Sequence, residues 1–138
     1  DLLFDLSSSA LKPPLEKVLA RLAPILAKVN YRVRLQGHTD ARPFPAASGR
    51  SNWSLSFERA ERARRILETN GMPNNQIIGV FAFGSSTPLE PEKPESSRNR
   101  RLSLLAIPPE LDPRGHEAQG QRAPQNAPIA PSDDLITP

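Results

Sequence analysis

The chain has 138 residues with no cysteine, 16 prolines, and 18 Lys/Arg against 15 Asp/Glu. That length holds one ordinary domain plus a tail. The lack of cysteine excludes disulfides, thiolate metal sites and a cysteine nucleophile, and no apolar run is long enough to cross a membrane as a helix. The charge is unevenly spread: residues 1–107 hold 16 Lys/Arg against 10 Asp/Glu, and residues 108–138 hold 2 against 5. A basic folded part suits an anionic partner. Because 14 of the 18 cations are arginine, forked contact with carboxylate or phosphate is favoured over diffuse attraction. The sequence opens at Asp1 with neither methionine nor signal peptide, as expected of a piece of a longer protein.

Residues 2–6 form a short apolar run with strand character, broken by Ser7-Ser8-Ser9. Pro13-Pro14 suit a helix start. From Leu15 the apolar positions Val18, Leu19, Leu22, Ile25, Leu26 and Val29 follow helical spacing. Pro24 removes a backbone donor within that run, which predicts a bent helix or one that ends early. Tyr31, Val33 and Leu35 alternate with Arg32, Arg34 and Gln36, the pattern of a half-buried strand. Gly37 is expected to let the chain turn out of it, leaving His38-Thr39-Asp40 at the exit. Residues 41–53 read as a loop long enough to be functional.

A second helix is predicted over about 55–70, supported by the Glu58/Arg62 and Glu61/Arg65 pairs and stopped by Asn70-Gly71 with Pro73 beyond. Residues 76–83 form a strongly apolar strand, residues 84–97 a Pro/Glu/Ser loop, and residues 102–107 the last strand. Residues 108–138 contain seven prolines and no aromatics; such a composition buries too little apolar surface to offset its ordering entropy, so a disordered tail is expected. The predicted order is β-α-β-α-β-β, an α/β fold with both helices on one face of a mixed sheet.

Arg59 is the residue that helical geometry singles out. At roughly 100° per residue, the apolar face of the second helix carries Ala60, Ala63, Ile66 and Leu67, and Arg59 projects inside that arc. A buried charge needs partners, and the helix start adds positive potential. The alternatives are that Arg59 reaches the helix edge or pairs with an internal acid.

Three motifs in order carry a resemblance: Gly37-His38-Thr39-Asp40, then Asn52-Trp53-Ser54-Leu55-Ser56 with Arg59-Ala60, then Asn99-Arg100-Arg101. Residues 1–107 resemble the OmpA-like peptidoglycan-binding domain, and the Ser-Asn-Trp-x-Leu-Ser form is most similar to its flagellar stator B-subunit branch. The resemblance implies that Asp40 and Arg59 hold the diaminopimelate of a peptidoglycan stem peptide. The chemistry fits: an aspartate accepts from the ammonium of that zwitterion while an arginine fork grips its carboxylate. A main-chain donor at Thr39 or in the loop would complete the grip. Asn52 either contacts ligand or scaffolds its loop, with Ser54 or Ser56 as further candidates for the helix cap. Asn99 and Arg100 sit at the mouth of the last strand, where either would close one side of the pocket, with Arg101 turned the other way.

The resemblance further implies a periplasmic domain of an inner-membrane protein, a homodimer, and a stator A-subunit partner met through a membrane segment. An acid usually stands where Ser54 is, and a tyrosine where Phe83 is. Trp53 is expected to pack over the helix start, with stacking on glycan as the alternative. No cofactor, metal site or enzyme is expected: His38 has only His116 beside it in the composition, and nucleophile, phosphate-loop and dinucleotide motifs are missing. The rival readings are an outer-membrane or lipoprotein-type wall tether, a basic nucleic-acid-binding domain, which the scarcity of aromatic platforms disfavours, and a wall hydrolase.

Overall fold

The structure, a computed structural model, describes residues 3–112. Its main elements are α1 (Pro13–Lys28), β1 (Arg32–His38), α2 (Asn52–Thr69), β2 (Ile77–Ala82) and β3 (Arg101–Ile107). The sheet has the order β2-β1-β3, with β1 parallel to β2 and antiparallel to β3. It is therefore an α/β fold with a mixed three-stranded sheet and two helices, in line with the expected class.

Alternation along β1 sets the layers. Val33 and Leu35 are fully buried, while Arg32, Arg34 and Gln36 occupy the opposite face. Cross-strand register puts Leu35 opposite Leu104 on β3 and Val80 on β2, so one sheet face is apolar across all three strands. Against it lie Leu15, Leu19, Ala23 and Leu26 of α1 and Ala60, Ala63 and Leu67 of α2, in one continuous core. The other face is partly open to solvent: Arg34 lies over the Phe81 ring at 5.8 Å, and Phe81 and Leu105 are exposed.

Four local expectations change. The 2–6 strand does not join the sheet; within it Phe4 makes one isolated bridge with Leu11, in a loop folded back on itself. Ser7 adopts a left-handed φ of 55°, and the Ser8 amide donates to the Asp5 carbonyl, a turn that extended pairing cannot continue through. Second, of the two outcomes foreseen at Pro24, an early end does not occur: α1 runs through it. Pro24 is exposed, while buried Ala23 and Leu26 on either side hold the helix down. Beyond Lys28, the buried Gln76 amide donates to the carbonyls of Leu26, Val29 and Tyr31 and satisfies the helix end.

Third, α2 starts three residues earlier than predicted. Ser51 is its cap, exchanging bonds with Ser54 in a capping box; Ser54 thus does the work for which an acid is common at that position. Glu61 pairs with Arg65 as expected at 3.2 Å, but the stronger fork is Arg64 on Glu61 and Glu68 at 2.6 and 2.7 Å. The Glu58/Arg62 pair does not form: Arg62 reaches the Ser9 hydroxyl at 3.1 Å, and Glu58 lies 3.8 Å from Arg50.

Fourth, Gly37 lies inside β1, and its role is close approach. A Cβ there would stand 1.9 Å from the Ser56 carbonyl oxygen of α2. The helix start is pressed directly onto the strand, and only glycine leaves room. After β3 the ordered chain continues through a turn at Pro109–Leu111 to Asp112, which is buried against Arg32 at 2.7 Å. Residues 113–138 of the expected tail lie outside the described residues. Because the obstacle at Gly37 is backbone, Gly37→Ala is expected to destabilise the domain by about 3 kcal/mol, read as a lowered urea midpoint; a midpoint within error of the parent would refute the close-packing account.

Candidate functional site

The end of β1, the start of α2, the N-terminal loop and the segment before β3 converge on one small recess. Its lining includes Leu6, Thr39, Asp40, Asn52, Arg59 and Arg100. Five of the six residues singled out as binding candidates therefore share one place, although 60 positions separate Asp40 from Arg100. Asn99 does not line it.

Asp40 is 5 % exposed and Arg100 8 %. They form an ion pair at 2.7 Å, and the second carboxylate oxygen of Asp40 accepts from the Arg42 amide at 3.0 Å. This is a desolvated, charge-assisted contact.

Arg59 is 0 % exposed, and neither alternative foreseen for it holds. It does not reach the edge, and no ion pair to an acid is recorded for it among the described residues. Instead Nε donates to the Ser8 carbonyl at 2.9 Å and Nη2 to the Asp5 carbonyl at 3.0 Å, while the Phe4 ring lies 4.4 Å from the guanidinium carbon. Nη1 is buried with no hydrogen-bond partner. Burial pushes the Arg59 pKa down to about 10, helped by the nearby charges of Arg100 and Arg50 and opposed by Asp40. It stays a cation at neutral pH, but an under-compensated one.

Thr39 and Asn52 serve the frame as well as the lining. The Thr39 amide donates to the Gly84 carbonyl at 2.8 Å, so of the two main-chain donors foreseen, at Thr39 or in the loop, the one at Thr39 is already used. Its hydroxyl donates to the Asp40 carbonyl at 2.9 Å. Asn52 donates to the Arg42 carbonyl at 3.1 Å and ties the loop to the helix start. Asn99 is fully buried among backbone groups: Oδ1 accepts from the Glu90 amide at 2.8 Å and Nδ2 donates to the Lys93 carbonyl at 2.9 Å. Asn99 shapes the loop that presents Arg100; of the two residues foreseen as closing one side of the pocket, Arg100 lines the recess and Asn99 does not. Arg101 turns away as foreseen, donating to the Thr87 carbonyl at 2.9 Å.

Sequence reading missed Phe4, Leu6 and the carbonyls of Asp5 and Ser8. Backbone acceptors leave no trace in side-chain identity, so only Phe4 and Leu6, both in the apolar 2–6 run, carried a signal in the sequence. Trp53 is 58 % exposed, yet its ring lies against Gly84, where a Cβ would come within 3.3 Å. It combines the packing expected of it with a free surface. A larger cavity of about 450 Å³ lies beside the recess, between α2 and residues 9–11, with Phe57, Glu61, Arg62 and Ile66 in its wall. None of its lining side chains carries a buried, unpartnered polar atom, which separates it from the Arg59 recess.

Comparison with known proteins now decides the kinship. The model of the OmpA family matches residues 3–101. The chain belongs to the OmpA family. It is 35 % identical over 108 residues to Motility protein B of Escherichia coli (strain K12), covering 76 % of this chain and 34 % of that protein. It is 33 % identical over 78 residues to the Peptidoglycan-associated lipoprotein of Buchnera aphidicola, covering 55 % of this chain and 42 % of that one. The crystal structure of the C-terminal domain of Helicobacter pylori MotB superposes with a TM-score of 0.67 at 22 % identity, covering 85 % of this chain and 89 % of that domain; at that identity it shows the fold. The chain spans between about a third and a half of the curated relatives it matches first. OmpA-like domains of the MotB type are non-enzymatic.

His38 lies outside the recess, stacked on Phe83 at 5.1 Å with Nδ1 3.2 Å from the Thr87 hydroxyl. Burial, reinforced by the Arg101 charge, pushes its pKa down to about 4. Folded His38 is thus neutral where an unfolded histidine, near 6.5, takes up a proton. Its contribution to stability is complete above pH 6.5 and is lost as pH falls towards 4. Glu61, held down to about 2 by its bonds to Arg64, acts in the same direction only below about 4.5. Between pH 6.5 and 4.5, stability is expected to fall by up to about 1.4 kcal/mol per unit, and His38→Gln to flatten that slope. Parallel melting curves for the two proteins across this window would exclude His38 as the cause.

Proposed function

We propose that this domain binds peptidoglycan non-covalently, through the diaminopimelate of the stem peptide, and anchors a flagellar motor stator unit to the cell wall. The observation that carries the reading is the buried, carboxylate-free Arg59 in the same recess as the Asp40–Arg100 pair. Arg42 also lines the recess but pairs with Glu95 at 3.4 Å; of the other charges, Asp40 is taken by Arg100 and Arg59 has no acid of its own among the described residues. A ligand centre bearing an ammonium and a carboxylate fits by exchange: its carboxylate takes Arg59 and Arg100, and its ammonium takes Asp40. Each buried charge keeps an opposite partner, which avoids the large cost of leaving one unpaired.

Thr39 and Asn52 keep the walls in place, and Asn99 holds the loop from which Arg100 reaches in. The relatives named Motility protein B favour a stator B subunit, with the domain in the periplasm of an inner-membrane protein. In that setting the partners are peptidoglycan, a second copy of the chain, and the stator A subunit through a membrane segment. No helix among the described residues is long and apolar enough to be that segment. A second reading, an outer-membrane lipoprotein-type tether, is favoured by the match to Peptidoglycan-associated lipoprotein and uses the same recess.

The test is sedimentation of the purified chain with diaminopimelate-type sacculi. Parent protein is expected in the pellet. Asp40→Ala and Arg59→Lys, each confirmed as folded by circular dichroism, are expected to stay largely in the supernatant, a loss of at least tenfold in affinity. Equal pelleting of all three would remove the recess from the binding site; a folded parent that never pellets would remove the wall-binding reading.

A further inference from the structure

The segment of residues 3–11 does more than close the core. Arginine has five donors in a planar fork, and here one edge of that plane is held by two carbonyls, from Asp5 and Ser8, with the Phe4 ring on its face. Carbonyls satisfy donors without cancelling the charge, as a carboxylate would. The segment does contain a carboxylate, on Asp5, but it is turned outward to Lys12 at 3.0 Å. The Asp5 carbonyl meanwhile accepts from both the Ser8 amide and Arg59 Nη2. Ser7, the only non-glycine residue with positive φ among those described, makes this turn possible at φ 55°, a conformation that costs a side-chain-bearing residue free energy. Leu6 and Ser7 at the tip of the turn line the recess beside Asp40 and Arg100. The arrangement leaves Nη1 as the donor without a partner.

We propose that Phe4 is a positioning residue for the ligand's carboxylate, and that residues 3–11 form a strap whose order is coupled to occupancy of the recess. This inference rests on the peptidoglycan reading and adds a part to it. The strap fixes the plane of the Arg59 guanidinium while leaving its charge uncompensated. A carboxylate that engages Nη1 strengthens the hold on the whole fork, and by linkage the strap becomes more protected when ligand is bound. Phe4 contributes a π face that favours the cation; an aliphatic side chain fills much of the same space without that face.

The experiment uses the full chain and the soluble tripeptide L-alanyl-γ-D-glutamyl-meso-diaminopimelate as probe. Affinity is measured by calorimetry and backbone protection by hydrogen exchange. Phe4→Leu is expected to raise Kd about tenfold, in the range a desolvated cation–π contact supplies. Leu19→Ala, a larger core loss in α1 away from the recess, is expected to leave Kd unchanged while the protein remains folded. Saturating tripeptide is expected to slow exchange in residues 3–11 as well as around residues 39–42 and 100. Equal weakening by Phe4→Leu and Leu19→Ala would make Phe4 merely structural and overturn the proposal. Protection at residues 39–42 and 100 but not at 3–11 would overturn the strap while leaving wall binding intact. A folded parent with neither binding nor protection would overturn both. Should Phe4→Leu fail to fold, the exchange measurement on the parent decides alone.

Discussion

The architecture of the recess depends on a single unusual burial, a guanidinium with no accessible surface and no carboxylate to neutralise it. Enclosing an arginine is costly unless its donors are met, and the domain meets those of Nε and Nη2 with main-chain carbonyls and sets an aromatic face against the plane. The result is asymmetric: one edge of the fork is held, while among the described residues Nη1 has no partner and the charge no carboxylate. Asp40 is near enough to raise the Arg59 pKa, but its oxygens are engaged by Arg100 and the Arg42 amide. Such a site rewards an incoming carboxylate far more than a neutral group.

Holding that charge in place requires the helix start and the strand end to meet closely, and Gly37 makes this possible. With no side chain on β1 at that point, the first turns of α2 rest on the strand. The Ser56 hydroxyl then accepts from the Gly84 amide at 3.0 Å and joins the helix to the segment following β2. Around this rigid corner, amide side chains do the work of secondary structure. Asn52 ties down the loop after β1, and Asn99 the loop before β3. Both satisfy backbone groups that irregular segments otherwise leave to water. Asn52 and Asn99 sit in the same short motifs as Arg59 and Arg100, which line the recess.

In the proposed role of a wall anchor, which holds under load without chemistry, an exchange of ion pairs within a desolvated recess would supply selectivity for a zwitterion. The open sheet face, with Phe81 and Leu105 exposed, and the cavity beside α2 are further surface outside the recess.

Much of this was legible in the residues. Alternation in β1, the stop signal of α2 and the apolar run of β2 announced their elements, since period and turn chemistry act locally. The inward angle of Arg59 followed from helical geometry alone, and the three short motifs pointed to Asp40 and Arg100 as its neighbours. Tertiary structure decided the rest. Residues 3–6 of the apolar run fold back instead of joining the sheet, with Phe4 against the Arg59 guanidinium. Pro24 stayed within α1 because packing on one side outweighed a lost bond on the other. Arg59 took carbonyls instead of an acid, and Gly37 served approach instead of turning. Each of these outcomes rests on partners far apart in sequence or on backbone atoms that every residue shares, so local pattern fixed where the charges lie and only the assembled fold decided what holds them.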